Sequence, residues 1–155
     1  MRKIILSTLI ALAAFSGARA QDEMFKEFGD NKDITVVYIS KALLGLAGGM
    51  VFDGSADIKS LANKLSMLEI YSSEQPEAVK QMRKVAEKLL KDNSELEILM
   101  KTKNGDQLVT FVAKKGKDGK IKELLMIADE QDEFSIIRLL GSFTMKDVEK
   151  ITSGN

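Results

Sequence analysis

Residues 95–140 read ELEILMKTKNGDQLVTFVAKKGKDGKIKELLMIADEQDEFSIIRLL, and this stretch decides the fold. It alternates apolar and polar residues in runs of about ten, separated by short clusters of Asn, Gly, Asp and Glu. Asn104-Gly105 and Asp118-Gly119 are strong hairpin signals, because type I′ turns need positive φ at both central positions. With Asn104-Gly105 as a two-residue loop, residue i opposes 209 − i. Leu96, Ile98 and Met100 then lie beside Ala113, Phe111 and Val109, while Glu95 meets Lys114 and Lys103 meets Asp106. Taking Asp118-Gly119 as the next loop sets Leu124, Met126 and Ala128 beside the same three residues and pairs Lys114 with Glu123. Continuing through Gln131-Asp132 adds Ser135, Ile137 and Leu139 to that face. A slip of one residue would destroy these matches, so the stretch reads as an antiparallel meander of about four strands.

Outward from the meander, Pro76 opens an amphipathic helix with Val79, Met82, Val85, Ala86 and Leu89 on one stripe. This helix is expected to cover the face of Val109, Phe111 and Ala113. Further toward the N-terminus, Ile34–Ile39 is β-branched and reads as a strand, and Ser40 can cap a helix over Lys41–Ala47. Ile58, Leu61 and Leu65 are spaced for another helix, and Met67–Ser72 for a second strand. Phe25 and Phe28 mark a short amphipathic lead-in. After the meander, Thr144-Met145-Lys146-Asp147 resembles a capping box opening a last helix through Val148 and Ile151. The expected fold is α+β: the C-terminal meander joined by one or two N-terminal strands and flanked by helices.

The first twenty residues read as a secretory signal peptide. Arg2 and Lys3 precede the apolar run Ile4–Phe15, and Ala18-Arg19-Ala20 supplies a small-residue cleavage site before Gln21. The run is short of the ~20 residues that span a bilayer, so no membrane helix is expected in the mature chain. Cleavage would leave residues 21–155 as one exported α+β domain, periplasmic or secreted. That domain carries 20 basic against 23 acidic residues, a net of −3. Such a balance disfavours nucleic acid, whose phosphates call for clustered Lys and Arg.

With no Cys and no His, the chain has no thiol nucleophile, thiolate metal site or imidazole base. No cofactor or metal site is expected. Asp129–Glu133 and Gly29–Asp33 offer oxygen ligands but lack the spacing of a calcium loop. Gly45–Gly49 follows a helix and lacks the Lys-Ser/Thr ending of a phosphate loop. Ser40, Ser55 and Ser60 have no His to activate them, and Lys114-Lys115-Gly116-Lys117 is a solubilising turn. Glu95 and Glu97 project about 7 Å apart from one strand, and with Lys101 they define the competing reading, a hydrolase or lyase built on carboxylates alone. Solvated cross-strand charge is the better account of them, since the register gives Glu95 a Lys114 partner and nothing points to an apolar pocket that would raise either pKa.

The face opposite Phe111 should be polar if the sheet is half-solvated. Instead it carries Leu108, Val112, Leu125, Ile127, Phe134, Ile136, Arg138 and Leu140. Either the remaining helices cover it, or it is an interaction face. Leu125, Ile127, Phe134, Ile136, Arg138 and Leu140 are the candidate contact residues, for an envelope protein, a small apolar ligand or a second copy of the domain.

The segments 33–43 (DITVVYISKAL) and 65–73 (LSMLEIYSS), the strands at 97–103 and 122–128, and Gly141 before a short final helix form a pattern. In it the chain resembles the small exported domains of unknown function common in Bacteroidetes genomes, over most of residues 25–152. Many members of that family are lipoproteins, whereas this chain has no cysteine to lipidate. The resemblance implies an exported α+β domain and brings no activity or catalytic residue with it. From its own residues the chain is expected to be a non-enzymatic interaction or ligand-binding module of the cell envelope.

Overall fold

The computed structural model describes residues 25–47 and 56–152. The expected signal segment and the Gly48–Ser55 loop lie outside the described residues, as do the side chains of Ile58 and Ile151. A short helix over residues 25–30 (α1) leads into β1 (Thr35–Ser40), α2 (Lys41–Ala47), α3 (Ala56–Lys64) and β2 (Leu65–Ser73). Then come α4 (Pro76–Asp92), β3 (Leu96–Asn104), β4 (Gln107–Lys115), β5 (Ile121–Asp129), β6 (Phe134–Phe143) and α5 (Met145–Thr152). All six strands form one antiparallel sheet in the order β1-β2-β6-β5-β4-β3. The four-strand meander and both N-terminal strands are therefore present, the latter added beyond β6.

The β4–β5 ladder pairs Ala113 with Leu124, Phe111 with Met126, Val109 with Ala128 and Lys114 with Glu123, as the hairpin argument requires. In β6, Ser135, Ile137 and Leu139 stand opposite Ala128, Met126 and Leu124. The β3–β4 register differs. Asn104 pairs with Gln107, so the loop is Gly105-Asp106. Gly105 has φ 61°, and no other type of residue takes positive φ among the described residues. A turn with glycine at its first central position needs positive φ only there, whereas an Asn104-Gly105 turn would force Asn104 into the same region. A bulge between Ile98 and Met100 shifts the rest of β3 again, setting Ile98 opposite Val112 and Leu96 opposite Lys114.

Helices cover both faces of the sheet. On one face α4 buries Ala78, Val79, Met82, Ala86 and Leu89 against Val112, Leu125, Ile127, Phe134 and Ile136. Phe25 and Phe28 of α1 extend this core over Tyr71, with Phe25 stacked on the tyrosine ring at 5.2 Å. On the other face α2, through Leu44, and α5, through Val148, pack with Ile39, Leu65, Leu68, Leu124, Leu139 and Phe143. The helix opened by Pro76 thus lies on the opposite face from the one expected. Both faces of β5 and β6 are apolar, so strand patterning alone does not choose between them.

Helix ends are chemically specified. Pro76 occupies the first turn of α4. At α5 the Thr144 N–H donates to Asp147 Oδ2 (2.8 Å) and the Asp147 N–H donates back to Thr144 Oγ1 (3.3 Å), a capping box with Asp in place of Glu. Lys64 at the end of α3 also reaches Asp147 at 2.6 Å, linking the two helices. Gly141 lies against this junction. A Cβ there would run into the Lys64 carbonyl oxygen, the Leu65 backbone and the Phe143 ring.

Candidate functional site: the uncharged edge of the sheet

The residues expected to form an open face are interior. Leu125, Ile127, Phe134, Ile136 and Arg138 are buried beneath α4 and α1, and Leu140 is half-buried. The correction follows from the position of α4, which spans that face. Arg138 is the one charged residue among these six and is held on three sides. Its Nε donates to Glu123 Oε1 at 2.6 Å, its Nη1 donates to Glu69 Oε2 at 3.0 Å, and the Phe25 ring lies 4.6 Å from the guanidinium carbon. The register explains the grouping: Glu69 is directly opposite Arg138 across β2–β6, and Glu123 is two residues from Leu125, its partner on β5. Burial alone would lower the guanidinium pKa, but the attraction and hydrogen bonds of the two carboxylates outweigh it and raise the pKa. This is a core ion cluster rather than a contact surface.

The carboxylates of the competing reading lie at the other side of the sheet. Glu95 and Glu97 are exposed and face Lys114 and Lys115 respectively, Glu97 at 2.6 Å. Lys101 is exposed on the same strand. Solvent and lysine partners surround both acids, and no apolar enclosure brings them onto one substrate position.

The acidic turn at 129–133 has a structural use. Arg83 of α4 donates to Asp129 Oδ1 at 2.7 Å and to the Glu130 carbonyl, while Gln107 reaches Glu130 Oε1 at 2.6 Å. An open cleft of about 450 Å³ beside it is lined by Glu74, Asp106, Gln107 and Glu130–Glu133. A smaller one of about 200 Å³ separates α4 from β4, with Leu90, Leu108, Ile127 and Phe134 beneath a rim of Arg83, Glu87 and Lys101. Its volume is below the ~300 Å³ of a typical small-molecule site. Among the described residues no three His, Cys, Asp or Glu side chains are grouped to hold a metal ion. No described helix is long and apolar enough to cross a membrane.

Among the described residues the largest group of exposed apolar side chains lies at the β1 end of the sheet, while Ile98 and Met100 of β3 and Met145 of α5 are exposed elsewhere. β1 is a terminal strand with the sequence TVVYIS, without a charged residue. Val36 is 42% exposed, Val37 39% and Tyr38 61%. Opposite Tyr71 and Glu69 respectively, Val36 and Tyr38 belong to the α1 face, and Val37 shares the α2 face with the buried Ile39. Beside them α2 turns Leu44 inward and leaves Leu43 and Leu46 outward, Leu46 at 87% exposure. The other terminal strand, β3, is built differently. It carries Glu97, Lys101 and Lys103 and is bent by its bulge. Charges and bulges are the devices that stop an edge strand from pairing with another chain. β3 has both, and β1 has neither.

The family model for the domain of unknown function DUF4252 matches residues 25–151. The chain belongs to this family. The match runs from Phe25 of α1 into α5, so the DUF4252 domain comprises the whole sheet and both helical layers. No curated protein and no solved structure matches the chain. Sequence reasoning identified β1 as a strand but did not single it out as a site. The uncharged run Thr35–Ser40 was the available signal, and its meaning depends on β1 being terminal.

Proposed function

We propose that this DUF4252 domain is an exported, non-catalytic interaction module of the bacterial cell envelope that receives a partner strand along β1. The observation that carries the reading is the uncharged terminal strand with Val36, Val37 and Tyr38 exposed beside Leu43 and Leu46. Strand addition would satisfy the outward backbone groups of β1, and alternate side chains on the two faces would supply selectivity. The N-terminal segment supports export: Arg2 and Lys3, the apolar run to Phe15, and Ala18-Arg19-Ala20. The envelope setting also suits a chain without cysteine, whose stability rests on its two-sided core.

Site-specific photo-crosslinking in growing cells tests this, with the probe at position 38 or 46 and, as a control, at position 103 on the charged edge. A discrete adduct to an exported protein from positions 38 and 46, absent at 103, is the expected result. It should disappear when Val36 is replaced by Lys. Equal labelling at both edges, or none at β1, refutes the reading.

A further inference from the structure

We propose that the partner at β1 is a second copy of the chain, paired antiparallel about Val37 so that two six-stranded sheets become one. This rests on the reading of β1 as a docking edge and names what docks there. A two-fold pair of antiparallel edge strands is restricted by geometry. Directly opposed residues project to the same face of the sheet. The symmetry axis must also carry residue i opposite j and j opposite i. Only residues of the same face can then oppose one another, so i + j is even.

Three such registers centre on the exposed part of β1. Asp33 lies in the turn two positions before β1, and Lys41 is the first residue of α2, directly after it. Centring the pair on Val36 or Tyr38 moves these two flanks apart by about two residues of strand. Centred on Val37, the Asp33 flank of each copy comes beside the Lys41 flank of the other, at both ends of the pairing. Both residues are exposed, and neither has an ion pair within its own chain among the described residues. The same register sets Val36 opposite the second copy's Tyr38 twice on the α1 face, an aromatic with a β-branched residue. On the α2 face Val37 meets itself. The six residues without charge are thus flanked by charges that complement one another under the symmetry. A pairing of this length falls at the small end of specific interfaces, so association in the micromolar range is expected.

The chain has no cysteine, so an introduced one is its only thiol. In the proposed register the Cα atoms at position 37 stand about 4.5–5.5 Å apart, within the ~4.4–6.8 Å that a disulfide spans. The processed full chain carrying Val37→Cys should form a disulfide-linked dimer under mild oxidation much faster than Leu46→Cys, a more exposed control. Sedimentation velocity of the unmodified chain from about 1 to about 300 μM should show a monomer–dimer equilibrium. Lys41→Asp should weaken it about five- to thirtyfold, because symmetry repeats the repelling pair. Adding Asp33→Lys should restore it to within about twofold. The restoration separates this register from any other use of the edge, and an unchanged melting curve shows that each variant is folded. A monomer throughout the range, position-37 cross-linking no faster than the control, or a double variant as weak as the single overturns self-pairing. In that event an adduct to a different exported protein at position 38 leaves the docking edge standing, and its absence removes both readings.

Discussion

Replacing Arg138 by Met should destabilise the domain by about 3–5 kcal/mol, because it strands two carboxylates rather than removing a contact. Arg138 is 6% exposed and Glu123 5%, while the Glu69 side chain retains 13% of its accessibility. The methionine would fill much of the space under Phe25 but offer no charge or donor to oxygens now 2.6 and 3.0 Å from the guanidinium. Against a typical total stability of about 5–15 kcal/mol, that loss is severe. For a domain of this size it corresponds to a fall of roughly 10–20 °C in melting temperature. The triple variant Arg138→Met, Glu69→Leu, Glu123→Leu supplies the decisive comparison. It removes every charge of the cluster, and since the pairing only offsets the cost of burying the charges, it should recover most of the loss. Urea unfolding followed by circular dichroism, with midpoint and slope measured for all three chains, checks both statements. A single variant within about 1 kcal/mol of the parent would show that water reaches the cluster. A triple variant as weak as the single would show that the ions hold the packing of α1 in a way apolar groups cannot replace.

Two further predictions concern the junction of α3, β2 and α5. Gly141→Ala should cost about 2–3 kcal/mol in urea unfolding, because its Cβ meets backbone atoms of Lys64 and Leu65 that cannot rotate away; an unchanged midpoint would mean the α3–β2 junction yields freely. Asp147 is buried, which alone would raise its pKa, but hydrogen bonds from Lys64 and Thr144 hold it down at about 2, against an ordinary 3.8. A lowered carboxylate stabilises fully above its unfolded pKa, so its contribution should persist above about pH 4 and fade as pH drops toward 2. Because the Lys64 side chain is 39% exposed, the expected size is about 1–2 kcal/mol. Asp147→Asn should lose that amount at pH 7 and show a flatter stability profile between pH 4 and 2, and parallel profiles for the two chains would contradict the assignment.

Much of the sheet was legible because its central ladders are fixed by local chemistry. The turns at Asp118-Gly119 and 131–132 set the β4–β5 and β5–β6 registers, which agree with the observed pairs from Leu108–Asp129 to Lys114–Glu123 and from Asp129–Phe134 to Glu123–Leu140. Beyond them Lys115 pairs with Ile121 and Ile121 with Phe143, because the loop at Asp118-Gly119 is longer than the expected two residues and closes through Gly116 and Lys120. Asn104-Gly105 misled for a reason internal to the turn. Glycine was read as its second central residue, whereas it is the first, and the bulge after Ile98 has no sequence signal comparable to a turn. Even so, Glu95 still reaches Lys114, because it lies in the turn just before β3, outside the alternation of the strand, and long side chains bridge the one-residue offset.

The site itself depended on a fact that no local pattern carries. Leu125, Ile127, Phe134 and Ile136 look like a docking surface only if α4 takes the other face, and both faces of β5 and β6 are apolar enough to receive it. The distinguishing residues are distant in sequence: Phe25 and Phe28 pack on Tyr71, and Arg138 finds Glu69 only because β2 inserts beside β6. That insertion also makes β1 terminal. Once β2 takes the β6 edge, the unprotected edge of the sheet passes from the well-patterned C-terminal strands to Thr35–Ser40. The same long-range pairing that closes the expected surface therefore creates the exposed one. A change that loosens β2 from β6 should disturb the Arg138 cluster and the β1 edge together, whereas the Val37 and Lys41 variants should alter the edge alone.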